Sequence, residues 1–489
     1  MYSTNKAVVD DELTRKMKLK LDKKQFSEWY NQVIEAANLS DKRYPIKGMN
    51  VWTPYGWKLM LNIDALIRAE MASTGHEEVC FPLLIPKTEF AKEAEHIKGF
   101  DAQVYWVTHG GETELDVPLL LRPTSETAMY PMFSLWVRAH SDLPLKTFQI
   151  VNTFRYETKQ TRSFIRVREI HFFEAHTCHA DEADAERQIR EDLEIMKRFA
   201  KKLCLPYITT KRPDWDKFAG AYYSIGFDCI LPNGRTLQLG SVHQYLQNFS
   251  KPYEIKYETE AGEHKYVYQT TYGMSERLVG AIVALHGDNR GLILPPSAAP
   301  YQLVIVPVFG KASNEAILDA CRKLATELQH AGYRVHVDGR DLRPGYKYYD
   351  WELKGVPVRV EFGTRELERN TIVMVRRDTG EKVEVHRAEL QMRIADILTA
   401  LSAHLYERAL AELRARIKTV STLEEAQDFV GSIIRLGWCG EDECGTEIER
   451  VLDKTMLGTP VEPESEPYRG QCAFCGKPTE LAAYLSRQL

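Results

Sequence analysis

No stretch of this 489-residue chain is apolar for the length that a membrane-spanning helix needs, and its charged opening, MYSTNKAVVDDELTRKMKLKLDKK, lacks the hydrophobic heart of a secretory signal. The chain is therefore expected in the cytoplasm, away from membranes. Cysteine is sparse until the end: of nine, Cys80, Cys178, Cys204, Cys229 and Cys321 are scattered, which argues against a disulfide framework and fits reduced thiols. Internal repeats and low-complexity tracts are missing too; TPVEPESEPYRG is the one acidic, proline-rich loop. No serine or cysteine stands in a recognisable nucleophile–base arrangement, so covalent catalysis is not expected. The net charge of −5 argues neither for nor against a nucleic-acid partner, because a basic face can coexist with an acidic total.

A chain this long does not fold around one core. With 44% hydrophobic and 27% charged residues it has the composition of an ordinary globular protein. Residues 1–75 read as helical, with FSEWYNQVIEAANL amphipathic and YGWKLMLNIDALIRAEMASTG apolar at three- and four-residue spacing up to Gly75. EEVCFPLLIP then reads as a short strand. Between about 100 and 300, β-like runs dominate, and ADEADAERQIREDLEIMKRFAKKL is the one long helix among them. That pattern predicts an α+β unit: an antiparallel sheet with helices to one side. After LPPSAAP strands and helices alternate, which predicts an α/β domain with a mixed sheet. The expected units are 1–298, 299–405 and 406–489, the last carrying Cys439, Cys444, Cys472 and Cys475.

Fixed charge concentrates in NTFRYETKQTRSFIRVREIHFFEAHT, residues 152–177. If the segment is two strands joined through TKQTRS, alternation puts Arg155 with Glu157 on one face, and likewise Arg166 with Arg168 and Glu174 with His176. Guanidinium forks suit phosphate or carboxylate oxygens, and carboxylates suit an amine or an exocyclic base nitrogen. A solvated face with cross-strand ion pairs is the plainer alternative. Two further segments favour an anionic substrate: LRPTSETAMYPMF offers Arg122, Thr124, Ser125 and Glu126, and TTYGMSERLVGAIVALHGD places Arg277 at a helix start after a glycine-containing turn.

On these segments the chain resembles the class II aminoacyl-tRNA synthetases, and among them the prolyl enzymes of archaeal/eukaryotic type, from about residue 25 onward. Residues 75–86 are similar to the first class motif, with Pro82 at a homodimer interface; the charged segment is similar to the second, and YGMSERLVGAIVALHGD to the third. RPTSE, EAHT and KFAGA resemble features that set the prolyl enzymes apart. The resemblance implies ATP-dependent, Mg2+-assisted activation of L-proline and its transfer to tRNA(Pro). It implies that Arg155 binds the α-phosphate and the amino-acid carboxylate, Glu157 the adenine amino group, and Arg166 and Arg277 the triphosphate. Thr124 and Glu126 would receive the secondary ammonium, Phe172, Glu174, His176 and Phe218 would wall the ring, and Gln238, Ser241 and His243 would complete the ribose and substrate pocket. FAKEAEHIKGF resembles a loop that closes over proline. Ile170 stands where many class II enzymes stack an aromatic on adenine, and Phe172 where some relatives have tryptophan. The span 178–265 leaves no room for the editing insertion of the bacterial-type enzymes, so no hydrolysis of mischarged tRNA in cis is expected.

WELKGVPVRVEFGTRELERN resembles the family's anticodon-binding domain, which implies that Glu352, Arg359, Arg365 and Glu366 contact anticodon guanines. Arginine suits guanine's acceptor edge and a carboxylate its donor edge in a single-stranded loop. A surface ion-pair network is the alternative. Cys439 with Cys444, and Cys472 with Cys475 in CAFCGK, are two close pairs that suit a structural Zn2+ held by four thiolates, with a redox CxxC as the other reading. Related enzymes often end in a tyrosine near the active site; this chain ends in AAYLSRQL, and Leu489 offers a main-chain oxygen there but no aromatic ring.

Overall fold

The computed structural model describes residues 20–92, 100–157, 159–309, 314–461 and 467–489. Most of the expected closing loop (93–99), part of the acidic proline-rich loop (462–466) and the first nineteen residues lie outside the described residues.

The helical reading of the first 75 residues needs one correction. Helices Phe26–Ala36 and Pro54–Ser73 flank a two-residue ladder of Ser40–Asp41 against Val51–Trp52. Pro45 and Gly48, the latter at a φ of +79°, interrupt the helical path between them. The second helix starts cleanly because the Thr53 side chain accepts the Gly56 N–H and Pro54 occupies the first turn.

Strands Leu145–Phe154, Glu169–His179, Tyr268–Ser275, Thr236–Leu246 and Tyr223–Ile230 are antiparallel neighbours in that spatial order. Period-two alternation sorts their side chains. On Glu169–His179, Phe173 and Ala175 enter the main hydrophobic core, while Ile170, Phe172 and Glu174 line a cavity. The core face is covered by helix Pro54–Ser73 through Leu59, Ile63 and Ile67, and by helix Glu182–Lys202 through Ile189, Met196 and Phe199. Helix Arg277–His286 is apolar almost all round after its first residue, and Leu278, Val279 and Ala281–Ala284 lie within that core. This is the α+β arrangement read from the sequence.

The second sheet is mixed, as expected. Leu303–Val308 runs parallel to Val335–Val337 and Val358–Gly363, and Thr371–Arg376 and Lys382–His386 complete it antiparallel. Its own apolar cluster includes Ile305, Leu324, Val360 and Met374.

The cysteine-bearing part is joined to the first sheet. Helix Leu390–Ala415 runs straight through the anticipated boundary at 405/406. Beyond it, strands Ile417–Thr419, Ile433–Gly437, Ala482–Ser486 and Thr455–Pro460 extend the first sheet to eleven strands, joining at Ile208–Lys211 through the pairs Thr459↔Lys211 and Pro460↔Thr210. An exposed strand edge is a template for pairing, and here the chain covers it with itself. Gly458, at a φ of +113°, permits the approach: a Cβ there would sit 1.9 Å from the Lys211 carbonyl oxygen. Among the described residues no helix is long and apolar enough to cross a membrane.

Candidate active site

A cavity of about 330 Å3 opens over the antiparallel strands. It gathers residues from widely separated segments, among them Thr124 and Glu126; Arg155, Glu157, Arg166, Phe172 and Glu174; Phe218; Gln238, Ser241 and His243; and Arg277.

At one end lie Arg155, Glu157 and Arg166. Their setting corrects the strand-face reading: strand Leu145–Phe154 stops before Arg155, and the return strand begins only at Glu169. The charged residues between them belong to a loop, closed by the Arg155 N–H to the Arg168 carbonyl (2.9 Å) and by reciprocal backbone bonds between Arg162 and Arg166 (2.8 and 2.9 Å). The cause is local: Phe164 takes a φ of +62°, which turns the chain where an alternating pattern would run on. The turn brings Arg166 Nη1 to 3.1 Å from Glu157 Oε2, and Arg166 Nη2 donates to the Leu489 oxygen at 3.1 Å, a contact on which the sequence alone gave no decision. Arg168 instead donates to the Glu157 carbonyl at 3.0 Å and lies over the Tyr156 ring.

Arg277 opens helix Arg277–His286, as expected, but Gly273 lies inside strand Tyr268–Ser275 rather than in a turn. There it pairs with Glu174 of the neighbouring strand, and a Cβ at this position would make ordinary van der Waals contact with the Phe172 ring at 3.4 Å. Arg277 Nε donates to the Ile165 carbonyl at 3.0 Å. Burial, with the charges of Arg155 and Arg166 adding, lowers its pKa to about 10. Burial likewise lowers Arg155, against the pull of Glu174 and Glu126. The end of the cavity therefore carries converging positive charge that an anion relieves.

At the other end two carboxylates are buried around one hydroxyl. Thr124 Oγ1 donates to Glu126 Oε2 at 2.6 Å and also contacts Glu174, and Tyr245 Oη donates to Glu126 Oε1 at 2.7 Å. Burial disfavours ionised Glu174, but the His176 ring and the Ser125 and Thr124 hydroxyls outweigh it and hold its pKa below the ordinary value. Phe172 and Phe218 supply apolar wall, and the Phe218 ring lies 4.7 Å from that of His243. Burial, with Arg212 adding, pushes His243 down to about 3, so its ring is neutral between the Ser224 hydroxyl (2.7 Å) and the Ser241 hydroxyl (2.9 Å).

Arg122, Ser125, Arg168 and His176 do not line the cavity. His176 is fully buried one layer behind Glu174, its Nδ1 near Tyr130 Oη and Thr271 Oγ1 and its Nε2 3.9 Å from Glu174. Arg122 spends its guanidinium on the carbonyls of Phe81, Pro82 and Asn152. Conversely, Tyr245, Ser224, Arg212 and Glu276 were missed. Tyr245 shares strand parity with His243, a signal present in the sequence, whereas Ser224 faces His243 only through the strand register. Glu276, beside Arg277, lines the cavity, and burial raises its carboxyl to about 8.

In the mixed-sheet unit, Glu352 and Arg359 line a cavity of about 160 Å3 together with Arg290, Arg376 and Arg377. Glu352 Oε1 accepts from Arg290 at 2.7 Å, and Arg359 lies 4.2 Å over the Tyr348 ring. Arg365 and Glu366 stand outside this cavity, on helix Thr364–Arg369, where Glu366 Oε2 accepts the Gly363 N–H at 3.0 Å.

The Sγ atoms of Cys439, Cys444, Cys472 and Cys475 lie within 4.8 Å of one another, with Cys439 and Cys475 3.9 Å apart. Sulfurs about 2.3 Å from a tetrahedral Zn2+ are separated by about 3.8 Å, so the cluster fits that ion. Burial works against the Cys472 thiolate, but backbone N–H groups of the CxxC turn prevail and lower it to about 7.

Residues 105–286 match the tRNA synthetase class II core domain (G, H, P, S and T), 302–397 an anticodon binding domain, and 423–489 the prolyl-tRNA synthetase C-terminal domain. The chain is 57% identical over 469 residues to a proline–tRNA ligase of Thermococcus kodakarensis, covering 94% of this chain and 97% of the relative. It is 55% identical over 469 residues to that of Pyrococcus abyssi, covering 94% and 98%. The structure of Giardia lamblia prolyl-tRNA synthetase in complex with prolyl-adenylate superposes with a TM-score of 0.91 at 34% identity, covering 96% of this chain and 99% of that one. The chain belongs to the prolyl-tRNA synthetase family.

Proposed function

We propose that the chain is an ATP-dependent proline–tRNA ligase, which joins L-proline to ATP as prolyl-adenylate and passes the prolyl group to the 3′ end of tRNA(Pro). The observation that carries this reading is the meeting, in one cavity, of three arginines with a cup of two buried carboxylates. Glu126 and Glu174 receive the ring ammonium with Thr124, and Phe172 and Phe218 wall the ring. His176 acts on the substrate only through Glu174. Arg155 bridges the proline carboxylate and the α-phosphate, while Arg166 and Arg277 take the remaining phosphates of Mg·ATP. Glu157 meets the adenine amino group, and Gln238, Ser241 and neutral His243 the ribose side. The carboxylate oxygen attacks the α-phosphorus in line and pyrophosphate leaves, so catalysis is positioning plus charge stabilisation without a protein nucleophile. The test is pyrophosphate exchange into ATP with each of the twenty amino acids. Proline alone should support strong exchange, and no exchange with proline in the presence of tRNA(Pro) would sink the reading.

The same reading assigns 1–298 to catalysis, 299–405 to the anticodon and 406–489 to a Zn2+-bearing part. Glu352 and Arg359 are the anticodon contacts the cavity supports, with Arg365 and Glu366 as outlying ones. Homodimerisation would cover the exposed side chains of Trp57, Leu61, Leu84 and Trp136; a monomer in sedimentation at micromolar concentration would refute it. The span 178–265 is taken up by helix Glu182–Lys202 and sheet strands, which supports the absence of cis editing, and hydrolysis of added alanyl-tRNA(Pro) would contradict it. Cytoplasmic location follows from the need for tRNA and ATP, and recovery in a washed membrane fraction would count against it.

A further inference from the structure

Ile170 and Phe172 line the cavity, and His171 between them turns to the other side of the strand. Its Nε2 lies 3.1 and 2.9 Å from the two carboxylate oxygens of Asp64, midway along helix Pro54–Ser73. Both side chains are nearly enclosed, 10% and 5% exposed, and Trp57 of the same helix sets its ring edge-on to the imidazole at 5.2 Å. The backbone of His171 is gripped from another direction. Its N–H donates to Glu276 Oε2 at 3.0 Å, and its carbonyl accepts the Glu276 N–H at 3.0 Å. These two bonds continue the ladder past its last pair, Ser275↔Phe172, as far as the residue that precedes Arg277.

The chemistry of activation uses neither Asp64 nor His171, yet burying two ionisable groups is costly unless they hold each other. The single nitrogen Nε2 shares its contact between both oxygens of the Asp64 carboxylate, which orients the imidazole and ties this strand to the helix. Ile170 on the cavity side and the Glu276–Arg277 step move with that strand. We infer that Asp64 and His171 are positioning residues for the nucleotide end of the site: the pair sets Ile170 against the base and, through the backbone of His171 and the Glu276 carboxyl, sets the first turn of the helix that presents Arg277. This rests on the reading of the cavity as an ATP site. Displacements of about 1 Å at such groups are enough to cost large factors in activity.

The test uses the full chain with Asp64→Leu, His171→Phe and Asp64→Asn. ATP affinity is read by titration calorimetry, and KM and kcat from proline-dependent exchange. Leucine and phenylalanine fill the space without the hydrogen bond, and the expected result is a Kd and KM for ATP raised about tenfold, with a smaller change in kcat. Asparagine keeps an acceptor for Nε2–H and should restore both to within about twofold. Folded Asp64→Leu or His171→Phe protein that binds ATP as tightly as the parent overturns the inference. So does a loss of exchange that only tracks the unfolded fraction. If Asp64→Leu does not fold, His171→Phe decides. A parent that shows no exchange refutes the proposed activity instead, and the ATP titration still decides the role of the pair.

Discussion

Glu276 and Arg277 are adjacent residues whose proton affinities both reflect burial: the carboxyl is pushed up to about 8 and the guanidinium down to about 10. For Glu276 the sign is definite. Its folded value lies above the ordinary 4.5, so its contribution to stability is full below that pH and is lost as pH rises through about 8. Glu276→Gln keeps an oxygen to accept from His171 and has no such titration. Melting temperature measured from about pH 5 to about pH 9 should fall more steeply for the parent than for this variant; parallel curves would contradict the assignment. Arg155 poses a question of shape rather than charge. Lysine there keeps the cation but loses the planar fork, and pyrophosphate exchange should drop at least about tenfold, an unchanged rate being the contrary result. Arg155, Glu157, Arg166 and Arg277 were legible because the segments that carry them resemble motifs of the family; their charge pattern alone fitted a solvated face as well. The Asp64–His171 pair was not, since a lone histidine 107 positions from its partner leaves no local signal.

Strand and helix content followed from hydrophobic period, and the points of failure are informative. The loop 155–168 imitated a strand because arginines and aliphatic residues alternate there, while a turn around Phe164 leaves no mark in a pattern of polar and apolar residues. The face of Glu169–His179 was legible from parity alone, which is why Phe172 and Glu174 fall in the cavity and Phe173 and Ala175 in the core. His176 has the same parity as Glu174 and still lies behind it, because parity fixes a face and not a depth. Sheet order is the other illegible property: nothing near Thr455–Pro460 announces that it pairs with Ile208–Lys211. That junction depends on Gly458, so Gly458→Ala should lower unfolding free energy by about 2 kcal/mol or more in urea titration. A change within experimental error would show that the two strands part without consequence.

At the scale of the whole chain, the four-cysteine cluster lies in the part that supplies the outer strands of an eleven-stranded sheet whose inner part carries the substrate cavity, and a Zn2+ held by the cysteines would brace that outer part. Stripping Zn2+ with a strong chelator should lower the melting temperature of the full chain by several degrees and broaden the transition, and re-addition of Zn2+ should reverse both. An unchanged melt would exclude a structural ion. Arg212 shows how directly the two parts meet: it lines the cavity, pairs with Asp228 at 2.6 Å and donates to the Leu457 carbonyl at 2.8 Å, across the seam between them. Strand Ala482–Ser486 lies between Ile433–Gly437 and Thr455–Pro460, both of which leave the ribosome before it. The two earlier strands therefore have no partner between them until residues 482–486 have been made, so the seam of the sheet is closed by a segment that arrives after both of its neighbours.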